Sequence, residues 1–344
     1  MAFTYKEFEE LFNKKWPDLA AAFEASVRGL KSAVLMNILE EAIRRADVEG
    51  VINILQIDDV AFAPLARAVS DTFAAGAEFE MSSSITKRPP NFRRVIVNFV
   101  GDHPRARDAV QRQGAELIRE VSESVKQTVR DLVNDSIAAG RHPRTVALEI
   151  AGRYNKVTKR REGGVLGLTQ HQRNYIENAR KQIENLDPAY FKRELRDGRY
   201  DRTVKKAIKD GIPLPKDKVD EIVRRYEDRT LHKRAETIAR TETISALNAG
   251  REEGFGQMAE KMGLPPGAYA KRWQSTPNSK RTRDSHRALN GKKAGPSEPF
   301  RTINGHLLKY PGDRSLGAPG SEIINCRCTV HFDVDWQVVA ENAQ

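Results

Sequence analysis

The sequence predicts a mainly α-helical body followed by a small C-terminal α+β domain. Apolar residues recur at helical spacing through most of the first 262 residues, for example from Leu30 to Ile43. After Gly263 prolines and glycines become frequent, and the short segments "KRWQST" and "INCRCTVHFDV" have the character of strands. Charged residues make up 31% of the chain, which is typical of a water-soluble, helix-rich protein.

The N-terminal half is predicted to contain helices separated by one linker. Residues 4–80 follow helical periodicity, whereas the serines and prolines of residues 81–94 indicate a linker, and "VIVNFV" at 95–100 predicts an isolated strand. A long amphipathic helix follows from about residue 108 and is expected to end at Gly140.

The second half contains clear helix starts. Pro143 is expected to begin a short helix that extends through Tyr154, and the basic, glycine-rich residues 155–169 predict a mobile loop. Thr169 and Gln172 form a capping-box pattern, and Asp187 precedes a proline in the same way as a helix cap. Residues 216–262 have mostly helical spacing, but three glycines predict a kink or break there: Gly250, Gly254 and Gly256.

The chain is too long for one ordinary core, so two or three domains are expected. The changes of pattern divide it into four segments. These are an acidic helical region (1–80), a linker with a short strand (81–107), a basic helical domain (108–262) and a small α+β domain (263–344).

Charge is distributed unevenly along the chain, whose net charge is +11. Residues 1–80 hold 8 basic and 14 acidic residues, whereas residues 141–240 hold 26 basic and 15 acidic residues. The basic middle suits a polyanion such as nucleic acid, and the acidic start suits a protein surface. A solvated, charge-laced helix face is the alternative. The expected phosphate contacts are three basic pairs: Arg160 and Arg161, Lys205 and Lys206, Arg224 and Arg225.

Several protein classes are disfavoured. No apolar run reaches the length of a bilayer span, and the N-terminus lacks the order of a secretion signal, so synthesis in the cytosol is expected. Dinucleotide, phosphate-loop, nucleophile-elbow and H-E-x-x-H patterns are missing from the sequence. The sequence therefore contains no complete catalytic set.

Both cysteines of the chain lie in "EIINCRCTVHF" at 322–332. If this segment is a strand, Cys326 and Cys328 face the same side with Cα atoms about 6.5 Å apart, which disfavours a disulfide. Two alternatives remain open: a zinc site that needs further ligands, or two buried, inert thiols. His286 is the leading candidate for a third ligand, and His306 and His331 are weaker ones.

Two other segments carry reactive side chains. "RTRDSHRALNG" at 281–291 places Asn290 four residues after His286, which is a fragment of a histidine-metal nuclease site without its other ligands. Glu242 lies in a helical pattern with no second carboxylate tied to it by spacing, so structural pairing is the favoured role.

Three ordered blocks resemble the phage Mu F-like head morphogenesis (minor head) proteins: "RAETIARTETISALNAGREEGF", "KRWQSTPNSKRTRDSHRALNGK" and "LLKYPGDRSLGAPGSEIINCRCTV". They cover about residues 230–332. The matching positions are Arg240, Thr241, Glu242, Asn248, Gly254, Trp273, Arg281, Arg283, His286, Gly291, Pro311, Asp313, Asn325, Cys326, Arg327 and Cys328. Asn278 departs from the family, which commonly has Asp there, so a fully acidic site is in doubt.

The resemblance implies a non-enzymatic virion component of a tailed phage or prophage. Such a protein would be made in the host cytoplasm and would lie in the head interior near the portal vertex. Its expected partners are portal and capsid proteins, double-stranded DNA without sequence preference, and other copies of itself. It would aid head morphogenesis and genome ejection. The rival interpretation is a metal-dependent nuclease or toxin-like enzyme that uses His286 and the two cysteines.

Overall fold

The computed structural model describes residues 4–85, 97–265, 267–277 and 280–342. These residues are mostly helical, and small antiparallel sheets lie mainly in the C-terminal part. The predicted fold class, a helical body with a small α+β region, is confirmed. No helix in the described ranges combines the length and apolar character that a bilayer span requires.

The elements follow one another from the N-terminus to the C-terminus. The helices are α1 (Tyr5–Ala33), α2 (Met36–Arg44), α3 (Val48–Leu55), α4 (Ala63–Ile85), α5 (Pro104–Ala138), α6 (Pro143–Ala151), α7 (Gln170–Glu184), α8 (Asp201–Asp210), α9 (Lys216–Met262), α10 (Asp284–Arg287), α11 (Gly320–Ile323) and α12 (Trp336–Glu341). The strands are β1 (Arg153–Asn155), β2 (Arg160–Glu162), β3 (Tyr269–Gln274), β4 (Lys293–Ala294), β5 (Phe300–Arg301), β6 (Leu307–Leu308) and β7 (Thr329–Val334). Two 3-10 turns span Pro188–Lys192 and Gly198–Tyr200.

The chain forms two compact units that are discontinuous in sequence. Unit 1 comprises residues 1–20, 65–115 and 236–344, and unit 2 comprises residues 21–64 and 116–235. The four segments expected from composition are linear. The four segments differ from the two units because α1, α5 and α9 each contribute residues to both units. Composition along the chain cannot predict such sharing.

Helix ends that depend on local side chains lie where the sequence predicts them. The Thr169 hydroxyl accepts from the Gln172 N–H, and the Gln172 side chain accepts from the Thr169 N–H, which forms the capping box of α7. Asp187 caps the first 3-10 turn through the Ala189 N–H. α5 ends just before Gly140, whose φ is +60°.

The predicted break in α9 is wrong, because α9 is continuous from Lys216 to Met262. Its glycines serve a close helix crossing instead. A Cβ at Gly250 would lie 1.9 Å from the Phe73 carbonyl oxygen, and one at Gly254 would lie 2.6 Å from the Ala77 carbonyl oxygen. On α4, a Cβ at Gly76 would lie 2.4 Å from the Leu247 carbonyl oxygen. The missing side chains therefore let the backbones of α4 and α9 touch within unit 1.

Two other local predictions need correction. Residues 81–85 continue α4 rather than beginning a linker, and residues 97–100 do not form a strand; residues 86–96 lie outside the described residues. The expected mobile loop at 155–169 contains β2, which pairs antiparallel with β1 in a short hairpin where Arg153 faces Glu162.

The core of unit 1 lies between the second half of α9 and a three-stranded antiparallel sheet of order β4-β3-β7. Trp273 of β3 is fully buried, and Phe332 of β7 stacks on Phe255 of α9 with ring centroids 4.4 Å apart. Burial of these aromatic side chains stabilises the packing of the sheet on α9.

The core of unit 2 lies between α7 and the first half of α9. Ile176 and Ile183 of α7 pack in one apolar cluster with Ile222, Val223 and Tyr226 of α9. The same cluster includes Tyr190 from the first 3-10 turn.

The helix crossing gives a prediction with a matched control. Gly250→Ala should destabilise the protein by about 1–3 kcal/mol, because the new methyl group meets backbone that cannot move aside. Gly256→Ala is the control: a Cβ there has Arg105 as its nearest atom at 3.7 Å. It should leave stability unchanged or raise it by up to about 1 kcal/mol through helix propensity. Urea unfolding followed by circular dichroism measures both, and equal stabilities of the two variants would contradict the crossing.

Candidate functional site

The signature residues of unit 1 use their polar atoms to hold the protein's own backbone. The buried Asn248 amide of α9 donates to the carbonyl oxygens of Ile244, Pro311 and Cys328 at 3.1, 3.1 and 3.2 Å. Its side-chain oxygen accepts from the Thr329 hydroxyl at 2.8 Å. Asn248 therefore ties α9 to the loop before residue 312 and to the start of β7.

Other signature residues also contact backbone groups or side chains of the same unit. Thr241 of α9 accepts from the Asn325 N–H at 3.0 Å, and Glu242 pairs with Arg314. Asp313 accepts from the N–H groups of Lys309 and Ser315 at 2.8 and 2.9 Å. The remaining contacts are Arg283 to the Ile324 carbonyl oxygen, the Arg327 guanidinium over the Phe12 ring, and the Arg240 guanidinium over the Trp16 ring.

A fully buried ion pair in unit 1 was missed by the sequence analysis. The Arg251 guanidinium donates to the Glu80 carboxylate at 2.6 and 2.8 Å, and both side chains are 1% exposed. Arg251 also donates to the Thr329 hydroxyl. A signal was present, since Leu247, Arg251 and Phe255 recur at four-residue spacing and so lie on one helix face.

The two cysteines converge on one histidine, as the sequence analysis anticipated. The Cys326 and Cys328 sulfurs lie 3.5 and 3.6 Å from His286 Nδ1, and all three side chains are at most 2% exposed. These three groups form the one His, Cys, Asp or Glu cluster of metal-binding dimensions within the described ranges. α10 supplies the histidine, and the segment between α11 and β7 supplies the thiols.

The strand expected for the thiols is wrong in its extent. β7 begins at Thr329, so Cys326 and Cys328 lie in the irregular segment before it. A turn precedes this segment: Asn325 has φ +55°, and the Cys326 N–H donates to the Ile323 carbonyl oxygen at 3.1 Å. The two thiols therefore do not belong to the strand that the spacing argument assumed.

A buried carboxylate supports the histidine from its other side. Glu322 Oε2 lies 3.1 Å from His286 Nε2 and accepts from the Ser285 hydroxyl at 2.8 Å. Burial acts to raise the pKa of Glu322, but hydrogen bonds from Asn304, His306 and Ser285 outweigh it and lower the pKa to about 2. The pKa of Cys328 is lowered by the hydrogen bond from Cys326, and His286 lowers it further.

The weaker ligand candidates lie elsewhere in unit 1. His306 Nδ1 is 3.1 Å from Glu322 Oε1, and His331 contacts the Gln274 side chain. Neither belongs to the cluster of His286 and the thiols. Asn290, the other half of the nuclease fragment, accepts from the Ser275 N–H at 2.9 Å. Asn278 lies outside the described residues.

The predicted phosphate contacts all lie in unit 2. Arg160, Lys205 and Lys206 are exposed. The other three are half-buried: Arg161 donates to the Gly152 carbonyl oxygen at 3.1 Å, Arg225 pairs with Glu162 at 3.5 Å, and Arg224 lines a cavity beside α6. Arg160 and Arg161 on the hairpin therefore lie beside Arg224 and Arg225 on α9. Lys205 and Lys206 lie on α8.

The base of the hairpin is anchored by three charged side chains, of which Lys31 is buried and Glu227 and Asp228 are half-buried. The N–H groups of Gly163 and Gly164 donate to Asp228 and Glu227, each at 2.8 Å, and the Lys31 ammonium donates to the Gly163 carbonyl oxygen at 2.6 Å. Both glycines have positive φ, +71° and +82°. Burial raises the pKa of Glu227 to about 7, against the lowering effect of the Gly164 hydrogen bond and of Lys31.

Comparison with known proteins agrees with the three sequence blocks. Residues 201–331 match the family described as Phage Mu protein F like protein. This matching stretch is named the Phage Mu F-like region. The resemblance is thereby confirmed for this part of the chain, which holds all of the signature residues.

A curated relative is similar over a shorter stretch. The chain is 31% identical over 105 residues to a protein named minor head protein GP7 of Bacillus phage SPP1. That stretch is 30% of this chain and 31% of the relative, so the chain matches about a third of that protein's length. No solved structure matches the chain.

The anchored hairpin predicts a pH dependence. The pKa of Glu227 is raised in the folded protein, so its contribution to stability is present at low pH and is lost as pH rises from about 4.5 through about 7. Wild type should therefore lose about 1–3 kcal/mol relative to Glu227→Gln between pH 4.5 and pH 7.5. Urea unfolding at the two pH values measures the difference. The control is the exposed Glu194→Gln in the same unit, which should follow wild type. Parallel pH profiles of wild type and Glu227→Gln would contradict the raised pKa.

Proposed function

We propose that the chain is a structural minor head protein of a tailed phage or prophage. It lies inside the head near the portal vertex, contacts portal and capsid proteins and the packaged DNA, and aids head morphogenesis and genome ejection. The observation that carries the proposal is the Phage Mu F-like region together with its similarity to a protein named as a minor head protein.

The use of the signature side chains supports an architectural role. Asn248 bonds to backbone carbonyl oxygens and to the Thr329 hydroxyl, and Thr241 and Asp313 accept from backbone N–H groups of the same unit. A catalytic carboxylate or amide needs access to a substrate, whereas these groups are satisfied inside the fold. We therefore propose that the region is not an enzyme.

The burial of His286 argues against the nuclease alternative in particular. A histidine that activates water must reach the scissile phosphate, and His286 is 1% exposed. Its Nδ1 faces two thiols and its Nε2 faces Glu322. Both ring nitrogens are thus directed at the protein interior.

Charge supports two kinds of contact. The acidic residues 1–80 suit a basic face of a portal or capsid protein, and the exposed cations of unit 2 suit the phosphates of double-stranded DNA. DNA contacts of this kind are independent of sequence and weaken with salt. Contacts with other copies of the chain belong to the same proposal, because a minor head protein assembles within a head.

The location is tested on virus particles. Head particles of the phage that encodes this chain should contain it, at low copy relative to the major capsid protein, both before and after DNA packaging. Quantitative mass spectrometry of purified particles measures this, and labelled particles viewed by electron microscopy give its position at the vertex. Complete absence of the chain from both kinds of particle would refute the proposed function.

The DNA contact is tested by replacing exposed cations. The triple variant Arg160→Ala, Lys205→Ala and Lys206→Ala should bind double-stranded DNA more weakly on every sequence. The slope of log affinity against log salt should fall by roughly one for each phosphate that the variant no longer neutralises. Fluorescence anisotropy over a salt series measures both quantities.

The control for that variant removes the same charge elsewhere. Lys6, Lys14 and Arg28 are exposed cations of the N-terminal helix, and their triple replacement by Ala should leave the salt slope unchanged. Equal losses of affinity in the two triple variants would reduce the effect to net charge and contradict a local DNA surface.

The nuclease alternative is tested separately. Plasmid incubated with the protein and Mg²⁺ or Zn²⁺ should stay supercoiled; nicking abolished by His286→Ala would establish the enzyme instead.

A further inference from the structure

We propose that His286, Cys326 and Cys328 bind one zinc ion, with the Glu322 carboxylate behind the histidine. This site is independent of the role in the phage head. It explains why the two cysteines of the chain lie on either side of one arginine.

The two nitrogen–sulfur distances fit a tetrahedral zinc ion. With Zn–N near 2.0 Å and Zn–S near 2.3 Å, tetrahedral angles place a nitrogen and a sulfur about 3.5 Å apart. The measured separations from His286 Nδ1 are 3.5 Å to Cys326 Sγ and 3.6 Å to Cys328 Sγ. Both sulfurs thus stand at ligand distance from the same ring nitrogen.

The surroundings of the ligands are those of a metal site. Zinc-binding histidines usually direct their second nitrogen at a carboxylate, and His286 Nε2 lies 3.1 Å from Glu322. With its proton on Nε2, the imidazole presents the Nδ1 lone pair to both sulfurs. A backbone N–H group also reaches one sulfur, from Cys328 to Cys326 Sγ at 3.4 Å. Such a donor stabilises a thiolate, which is the ligand form of cysteine.

Two inert thiols account for this arrangement less well. Packed thiols behave as small apolar groups and need no imidazole between them. A buried imidazole nitrogen needs a strong partner, and a thiol is a weak hydrogen-bond donor. Furthermore, Glu322 is held by Ser285 and Asn304 at 2.8 and 2.9 Å, so the carboxylate is fixed in place behind the histidine. Inert packing requires none of these supports.

The ion would join two segments that are distant in sequence. His286 lies on α10, and the thiols lie about forty residues later, in the irregular segment before β7. The three-stranded sheet has a small core, and a metal supplies folding free energy that a small core lacks. Within the described residues three side chains act as ligands, so water or another small ligand completes the tetrahedron.

The experiment measures zinc bound to the full-length protein purified from zinc-supplemented cells. Elemental analysis should find about one zinc ion per chain in wild type and less than a tenth of that in His286→Ala, Cys326→Ser and Cys328→Ser. The matched control is His331→Gln, since His331 is a buried histidine of the same unit that lies outside the cluster. It should keep the metal. Zinc retained in all three ligand variants would overturn the site.

A second measurement uses wild type alone, so it does not depend on the variants folding. Both thiols should resist a thiol reagent in the zinc-bound protein and react after a chelator is added, and the unfolding temperature should fall with chelator. X-ray absorption at the zinc edge should show two sulfur neighbours and two nitrogen or oxygen neighbours. Metal-free wild type whose unfolding temperature does not respond to added zinc or chelator would overturn the proposal and leave the role in the head untouched.

Discussion

The C-terminal region depends on the hydrogen bonds made by two buried polar side chains on one face of α9. Asn248 and Arg251 lie on the same helix face as Leu247 and Phe255, where an unpaired polar atom would cost several kcal/mol. Thr329 at the start of β7 serves both of them, through its hydroxyl group. The position of β7 on α9 is therefore set by directional bonds and not by apolar packing alone. Since Cys328 precedes Thr329, the same bonds fix where the thiols lie.

The helix crossing and the buried ion pair act together in unit 1. Glycines bring α4 and α9 into backbone contact, and this brings Glu80 of α4 within 2.6 Å of Arg251. A larger residue at Gly250 would separate the helices and leave a charged pair partly solvated and partly unpaired. Breaking a buried pair in this way is more costly than the pair is stabilising, so the glycines and the charges depend on one another.

Helix caps were predicted correctly from the sequence, whereas contacts between distant segments were not accessible to it. The capping box at Thr169 and the turn at Asp187 are decided within four residues, so their outcome could be predicted. Gly250 and Gly254 have low helix propensity, but their role depends on α4, which lies far away in sequence, and tertiary contact overrides propensity. The pair of Arg251 and Glu80 spans 171 residues, which spacing cannot connect.

For the thiol site, the residue set was predictable and its geometry was not. The sequence favoured Cys326, Cys328 and His286 as a set of metal ligands, and the structure brings these three side chains together. The strand assumed for the thiols begins later, at Thr329; Asn325 has a positive φ, and its N–H donates to Thr241 of α9. Glu322 was not anticipated, since a carboxylate four residues before a cysteine has no diagnostic spacing. Its position, 3.1 Å from His286 Nε2, is the one that a carboxylate takes behind a metal-binding histidine, which the proposed zinc site requires.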